Sequence, residues 1–138
     1  MIAVDTSVIL AMALAEPEAD SFTALLGREA VAIGWPTLLE ARMVLTGKGF
    51  PNASDIVGQL VRLPNVTAIA FDAAHYHAAE RAFDRFGKGR HPAALNMGDC
   101  FAYAVASVAG APLLFKGSDF GGTDVACHPQ SAVIGVSP

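Results

Sequence analysis

Five acids stand at places where apolar sequence begins or stops. Asp5 ends the short run MIAV and opens DTS, with Ser7 two residues on. Asp119 follows PLLF by a few residues, and Asp124 comes five later in the same glycine-rich stretch, KGSDFGGTD. Asp99 sits behind Gly98 at the mouth of CFAYAVASVAG, a run that is almost wholly apolar or small. Glu40 lies in LLEARMVL, where Arg42 is the only other charge. Each acid has an ordinary reading. Asp5 and Asp99 are good helix N-caps, Glu40 can pair with Arg42 or another basic group, as buried charges usually do, and Asp119 and Asp124 suit turns. The alternative is convergence. Several carboxylates on one rim would raise one another's pKa. A divalent cation removes that penalty, and Mg²⁺ or Mn²⁺ favours a few carboxylates completed by water and phosphate.

Whether they converge depends on the elements that carry them. The apolar run 1–4 reads as a strand, DTS as a turn and cap, and 8–14 as a helix that Glu16-Pro17 closes. A modest helix over 19–26 leads to a strand at 30–33. WPTLLEARMVLTGKG starts with a proline near its first turn and ends at glycines, so it predicts a helix, apolar on nearly every side and therefore buried. A helix over 54–62, a strand over 66–71, a long helix capped by Asp72 through Phe86, a loop over 87–93, a helix over 96–109 and a strand over 112–115 follow. One more strand is expected near 133–136. Strands alternate with helices and read as unbroken apolar runs, the pattern of a parallel sheet covered on both faces. Ligands of such sheets bind outside the carboxyl ends of the strands. Asp5 and Asp119 both fall there.

The 138 residues are 53% apolar and 16% charged, which predicts one globular domain over 1–138 with a core large enough to need no staples. A net charge of −4 argues against a nucleic-acid binder unless the acids are gathered around a metal. Cys100 and Cys127 form no CxxC pair and are expected to be reduced and buried, as in a cytoplasm. No leader peptide is expected, because Asp5 stands where a basic segment should be. The 100–115 run is too short and interrupted to span a bilayer.

Four blocks, MIAVDTSVI, LLEARMVL, GKGRHPAALNMGDCFAYAVA and LLFKGSDFGGTD, resemble in order and spacing those of PIN-domain ribonucleases, and more closely the VapC-type toxins of toxin–antitoxin pairs. The resemblance runs from Met1 to about Asp124. It implies a three-layer α/β/α fold with a central parallel sheet. It also implies an acidic site of Asp5, Glu40, Asp99 and a fourth acid, with Ser7 beside it and with Asp5 and Asp99 on the metal. Asp119 matches the fourth acid best. Many relatives carry a further acid where this chain has Gly117, which leaves Asp124 as an alternative. A Mg²⁺- or Mn²⁺-dependent endoribonuclease is implied, as are water attack, a small antitoxin partner and a toxin homodimer.

Outside these blocks the signals are weaker. Lys88 and Arg90, with His91, form a basic loop that is either solvated or a grip on RNA phosphates. His75 and His77 face different sides of a helix and are expected to be surface or packing residues. Trp35 and Phe50 could stack on bases, although core packing is the expectation for Trp35. Two rival functions remain: an aspartate-based phosphohydrolase or phosphoacceptor, and a non-catalytic RNA- or protein-binding module on the same fold. The first usually has a second Asp where this chain has Ser7.

Overall fold

A computed structural model describes residues 1–132. Four parallel strands form one sheet: β1 (Ile2–Val4), β2 (Val31–Gly34), β3 (Val66–Ile69) and β4 (Leu113–Leu114), in the order β3-β2-β1-β4. Ile2 pairs with Val31, Val31 with Val66 and Ala3 with Leu113. Between β1 and β2 lie α1 (Thr6–Ala13) and α2 (Ala19–Arg28). Between β2 and β3 lie α3 (Trp35–Gly47) and α4 (Ala53–Val61). Then α5 (Ala73–Phe86) and α6 (Met97–Ala109) lead to β4. The chain therefore steps outward twice and returns across β1. Because parallel crossovers are right-handed, the reversal puts α5 and α6 on the opposite face from α1–α4.

The strands divide their side chains between the two layers by simple alternation. Ile2, Val4, Val31 and Ile33 join Val8, Ile9, Phe22, Leu25, Leu38 and Leu60 in one core. Ala3 and Ala32 face the other, with Phe86, Tyr103, Val105, Ala106 and Phe115. The small residues on this second face let α6 lie close to the sheet. At Gly34 the approach is closer still: a Cβ there would stand 2.9 Å from Val105 Cγ2. Asp99, near the start of α6, lines the same cavity as Asp5 at the carboxyl end of β1.

Most elements fall where the sequence places them, with several corrections. The α3 helix is not buried all round. Leu38, Ala41 and Leu45 are in the core, but Trp35, Leu39 and Met43 are 53%, 59% and 64% exposed, so Trp35 is not a core residue. Glu40 does not pair with Arg42, whose guanidinium bonds Thr46 one turn on. Asp99 is not the cap of α6; Asn96 is, and Asp99 stands three residues later. Cys100 is buried as expected, whereas Cys127 is exposed. Asp72 caps α5 as expected, with His75 buried in the same capping box and His77 exposed. The strand expected at 133–136 lies outside the described residues. Residues 126–132 run beside β4, where Leu113 and Lys116 form bridges to Cys127 and Ala132 that cover the strand's free edge. Among the described residues no helix is long and apolar enough to cross a membrane.

Candidate active site at the β1/β4 seam

The sheet order reverses between β1 and β4, which is where a crevice opens in a fold of this kind. A cavity of about 180 Å³ lies there, lined by Asp5, Glu40, Asp99 and Asp119 together with Thr6, Ser7, Asn96 and Lys116. The four acids come from four different elements, and each is fixed by local chemistry.

Asp5 leaves β1 in an extended conformation and caps α1. Its backbone N–H donates to Leu114 O at 3.0 Å, so it is tied to β4 as well. One carboxylate oxygen, Oδ2, accepts from the Ser7 N–H at 3.0 Å and the Ser7 hydroxyl at 2.6 Å. Ser7 Oγ in turn accepts from the Lys116 N–H at 2.9 Å, stitching the two loops across the seam. Among the described residues both side-chain hydrogen bonds from Ser7 fall on Oδ2, which leaves Oδ1 the less engaged oxygen.

Asp99 occupies the third position of α6 and takes part in a reciprocal box. Its N–H donates to Asn96 Oδ1 at 2.9 Å, and Asn96 N–H donates to Asp99 Oδ2 at 3.0 Å. Glu40 is half-buried, and its Oε1 accepts from the Thr6 hydroxyl. Asp119 is exposed at the cavity rim. It is held by its neighbour Phe120, 2% exposed and packed on Phe115 with ring centroids 5.1 Å apart.

Burial is the main force on the two inner acids. It pushes Asp5 up to about 6 against the pull of the Ser7 hydrogen bonds, with the charge of Glu40 adding to the rise. It pushes Asp99 up to about 7 against its Asn96 bond, with the charges of Asp5, Asp119 and Glu40 adding. Burial thus opposes the ionisation of both inner carboxylates, and neighbouring acids add to it.

The structure brings together Asp5, Ser7, Glu40, Asp99 and Asp119. It does not bring in Asp124. That side chain is engaged by Arg85 at 2.9 Å and by the Tyr103 hydroxyl, and it does not line the cavity. Lys88 and Arg90 are exposed in the loop after α5, with the Arg90 guanidinium 4.7 Å above the Phe83 ring. Thr6, Asn96 and Lys116 were not singled out from the sequence. Asn96 had a legible signal, since N-x-x-D before an apolar run is a capping-box spacing. Lys116 had none.

The PIN domain family model matches residues 2–125. Ribonuclease VapC36 of Mycobacterium tuberculosis is 42% identical over 124 residues, spanning 88% of this chain and 89% of the relative. Ribonuclease VapC of Mycolicibacterium smegmatis is 41% identical over 125 residues, spanning 89% of this chain and 96% of the relative. Among solved structures, Mycobacterium tuberculosis VapC20, described as a Sarcin-Ricin loop cleaving toxin, aligns with TM-score 0.73 at 16% identity over 91% of this chain and 97% of its own. A toxin–antitoxin complex from Klebsiella pneumoniae aligns with TM-score 0.67 at 16% identity over 94% and 98%. At such identities the structural likeness speaks for the fold.

Proposed function

Because the chain belongs to the PIN-domain family and, within it, to the VapC ribonucleases, we propose that it is a Mg²⁺- or Mn²⁺-dependent endoribonuclease, the toxin of a toxin–antitoxin pair. We read residues 1–138 as one such domain acting in the cytoplasm. The observation that carries the reading is the gathering of Asp5, Glu40, Asp99 and Asp119 around one cavity at the β1/β4 seam.

The residues suit a hard divalent cation. The donors are carboxylate oxygens, and burial penalises the two inner charges until a cation compensates them. Among the described residues no three acids form a ready-made metal cage. The fit is therefore to an ion held by Asp5 and Asp99, directly or through water, with Asp119 helping from the rim and water and phosphate completing the shell. When bound, such an ion polarises the scissile phosphate and stabilises the charge that develops on the leaving oxygen. Glu40 orients the attacking water or takes its proton, or helps hold a second ion, and Thr6 fixes its orientation through Oε1. Ser7 holds Asp5 Oδ2, so that Oδ1 is the oxygen presented to the site. In-line attack by water that breaks the P–O3′ bond would leave 5′-phosphate and 3′-hydroxyl ends, the outcome that the resemblance to PIN-domain ribonucleases implies. A metal-free ribonuclease would use a histidine pair for acid–base work, and among the described residues no histidine lines the cavity. Lys88 and Arg90, exposed in the loop between α5 and α6, would serve as RNA phosphate contacts.

The phosphoacceptor reading is weaker because Ser7, not a second Asp, faces Asp5. Cleavage mapping on total RNA, wild type against Asp5→Asn, each with Mg²⁺ and with chelator, tests the proposal. Cuts common to both proteins, or none from the wild type, would end it.

Two apolar surfaces fit the partners. A groove between α1, α2 and α4, lined by Ile9, Met12, Leu26, Leu60 and Leu63, takes an amphipathic antitoxin helix. An antitoxin arginine reaching the acids would compensate their charge as the cation does. The exposed face of α3, with Phe71, Met97 and Phe101 from the other layer, takes a second copy of the chain.

A further inference from the structure

Among the described residues lining the acidic cavity, Lys116 is the one cation, and its ammonium pairs with Glu16 and Glu18 rather than with the four acids. Its Nζ lies 2.8 Å from Glu18 Oε2 and 3.4 Å from Glu16 Oε1, both on the turn between α1 and α2, and the side chain is only 14% exposed. At its other end the Lys116 N–H donates to Ser7 Oγ, which donates to Asp5 Oδ2. The next residue, Gly117, has φ +137, a conformation that favours glycine, and its N–H donates to Ala132 O at 2.8 Å. Asp119 follows two residues later.

Lys116 is thus fixed at both ends, at the point where the chain leaves β4 and turns to carry Asp119 to the rim. A lysine already engaged by two carboxylates is poorly placed to receive a phosphate. It is well placed to set the spacing between two loops. We infer that Lys116 is a positioning residue: with Glu16 and Glu18 it clasps the Asp119 loop to the α1–α2 turn and keeps Ser7, Asp5 and Asp119 in working register. The inference rests on the nuclease reading. It concerns the arrangement of the acids rather than their identity.

The test compares Lys116→Met, Lys116→Arg and the pair Glu16→Gln/Glu18→Gln on an RNA that the wild type cleaves, well below each variant's Tm. The clasp predicts that Lys116→Met lowers kcat by about tenfold or more, as small misplacements of reacting groups do, while KM stays near the wild-type value. The glutamine pair should show the same fall, and combining it with Lys116→Met should add little, because both sides break one interaction. Lys116→Arg should restore much of kcat.

A phosphate contact makes opposite predictions. Lys116→Met would raise KM and flatten the salt dependence of binding to a mixed-sequence single-stranded RNA, and the glutamine pair would bind RNA more tightly for loss of repulsion. That result overturns the clasp, as does an unchanged kcat. Should Lys116→Met not fold, the glutamine pair, which leaves Lys116 in place, decides by the same kcat and KM criteria. Absence of cleavage by the wild type with Mg²⁺ or Mn²⁺ would overturn the nuclease reading itself, before any variant is compared.

Discussion

Gly98 makes room for Glu40. A Cβ at position 98 would stand 2.6 Å from Glu40 Cδ and closer still to one carboxylate oxygen, so any larger residue must push that side chain aside. The glycine before Asp99 thus serves a carboxylate on another helix, almost sixty residues away in sequence. Gly98→Ala should therefore behave as an active-site variant. Alanine favours the helix by about 1 kcal/mol over glycine, which offsets part of the crowding, so Tm should move little. Cleavage should fall by about 100-fold, the scale of a displaced catalytic group. Steady-state kinetics beside a melting curve checks it, and near-wild-type cleavage would show that Glu40 is not needed where it stands.

Asp99→Asn separates the helix-box role of Asp99 from its role in the site. The asparagine carbonyl can still accept from the Asn96 N–H, so the box survives and the stability change should stay within about 1 kcal/mol. The charge does not survive, and RNA cleavage should be lost at saturating Mg²⁺. Retained cleavage would reduce Asp99 to a structural acid.

The two candidates for the fourth acid have different surroundings and should give different results. Asp119 lines the cavity, whereas Asp124 binds Arg85 and Tyr103. Asp119→Asn should lower activity strongly with little effect on Tm. Asp124→Asn should keep activity. Its ion pair is exposed, and such pairs contribute about 0–1 kcal/mol. Parallel cleavage assays decide it; the reverse ranking would make Asp124 the fourth acid.

Burial raises Asp5 from 3.8 to about 6 and Asp99 from 3.8 to about 7. With folded values above unfolded ones, the native state holds more protons between roughly pH 4 and pH 7, so stability falls as pH rises through that window. In chelator, Tm should be higher at pH 5 than at pH 8. Mn²⁺ should stabilise the protein more at pH 8, where protons no longer compete for the carboxylates. Scanning calorimetry at both pH values, with and without Mn²⁺, checks this. A Tm in chelator that rises with pH would contradict a site built from acids that resist ionising.

The fold was legible because its signals are local. Apolar runs of strand length, helix caps and breaking glycines alternate along the chain, and the parallel sheet follows from them. The resemblance of the four blocks named Asp5, Glu40, Asp99 and Asp119 without any geometry. Three things were not legible. Asp99 reads as a cap because an acid before an apolar helix usually is one, while the cap lies three residues earlier at Asn96. Trp35 was assigned to the core because hydropathy does not say which side of an apolar helix the sheet covers; only tertiary packing does. Lys116 was invisible because its partners, Glu16 and Glu18, are about a hundred residues distant and meet it only once β4 lies beside β1.

The apolar residues that α3 leaves outside supply the last prediction. Leu39 and Met43 are 59% and 64% exposed, and Met97 on α6 is 73% exposed. They line a groove of about 690 Å³ with Phe71 and Phe101, and Glu40 lines both this groove and the acidic cavity. Exposed apolar surface of this extent marks a contact. If a second copy covers it, Leu39→Asp/Met43→Lys should turn a dimer into a folded monomer by light scattering and circular dichroism, because neither side chain is in the core; its Tm should fall only by what the lost association contributed. The α1–α2–α4 groove lies on different residues, so the same variant should still bind the proposed antitoxin. Conversely, Met12→Glu/Leu63→Glu should lose the antitoxin and keep the dimer. A wild type that scatters as a monomer would remove the second copy from the α3 face. Loss of antitoxin binding in the α3 variant, with its fold intact, would hand that face to the antitoxin instead.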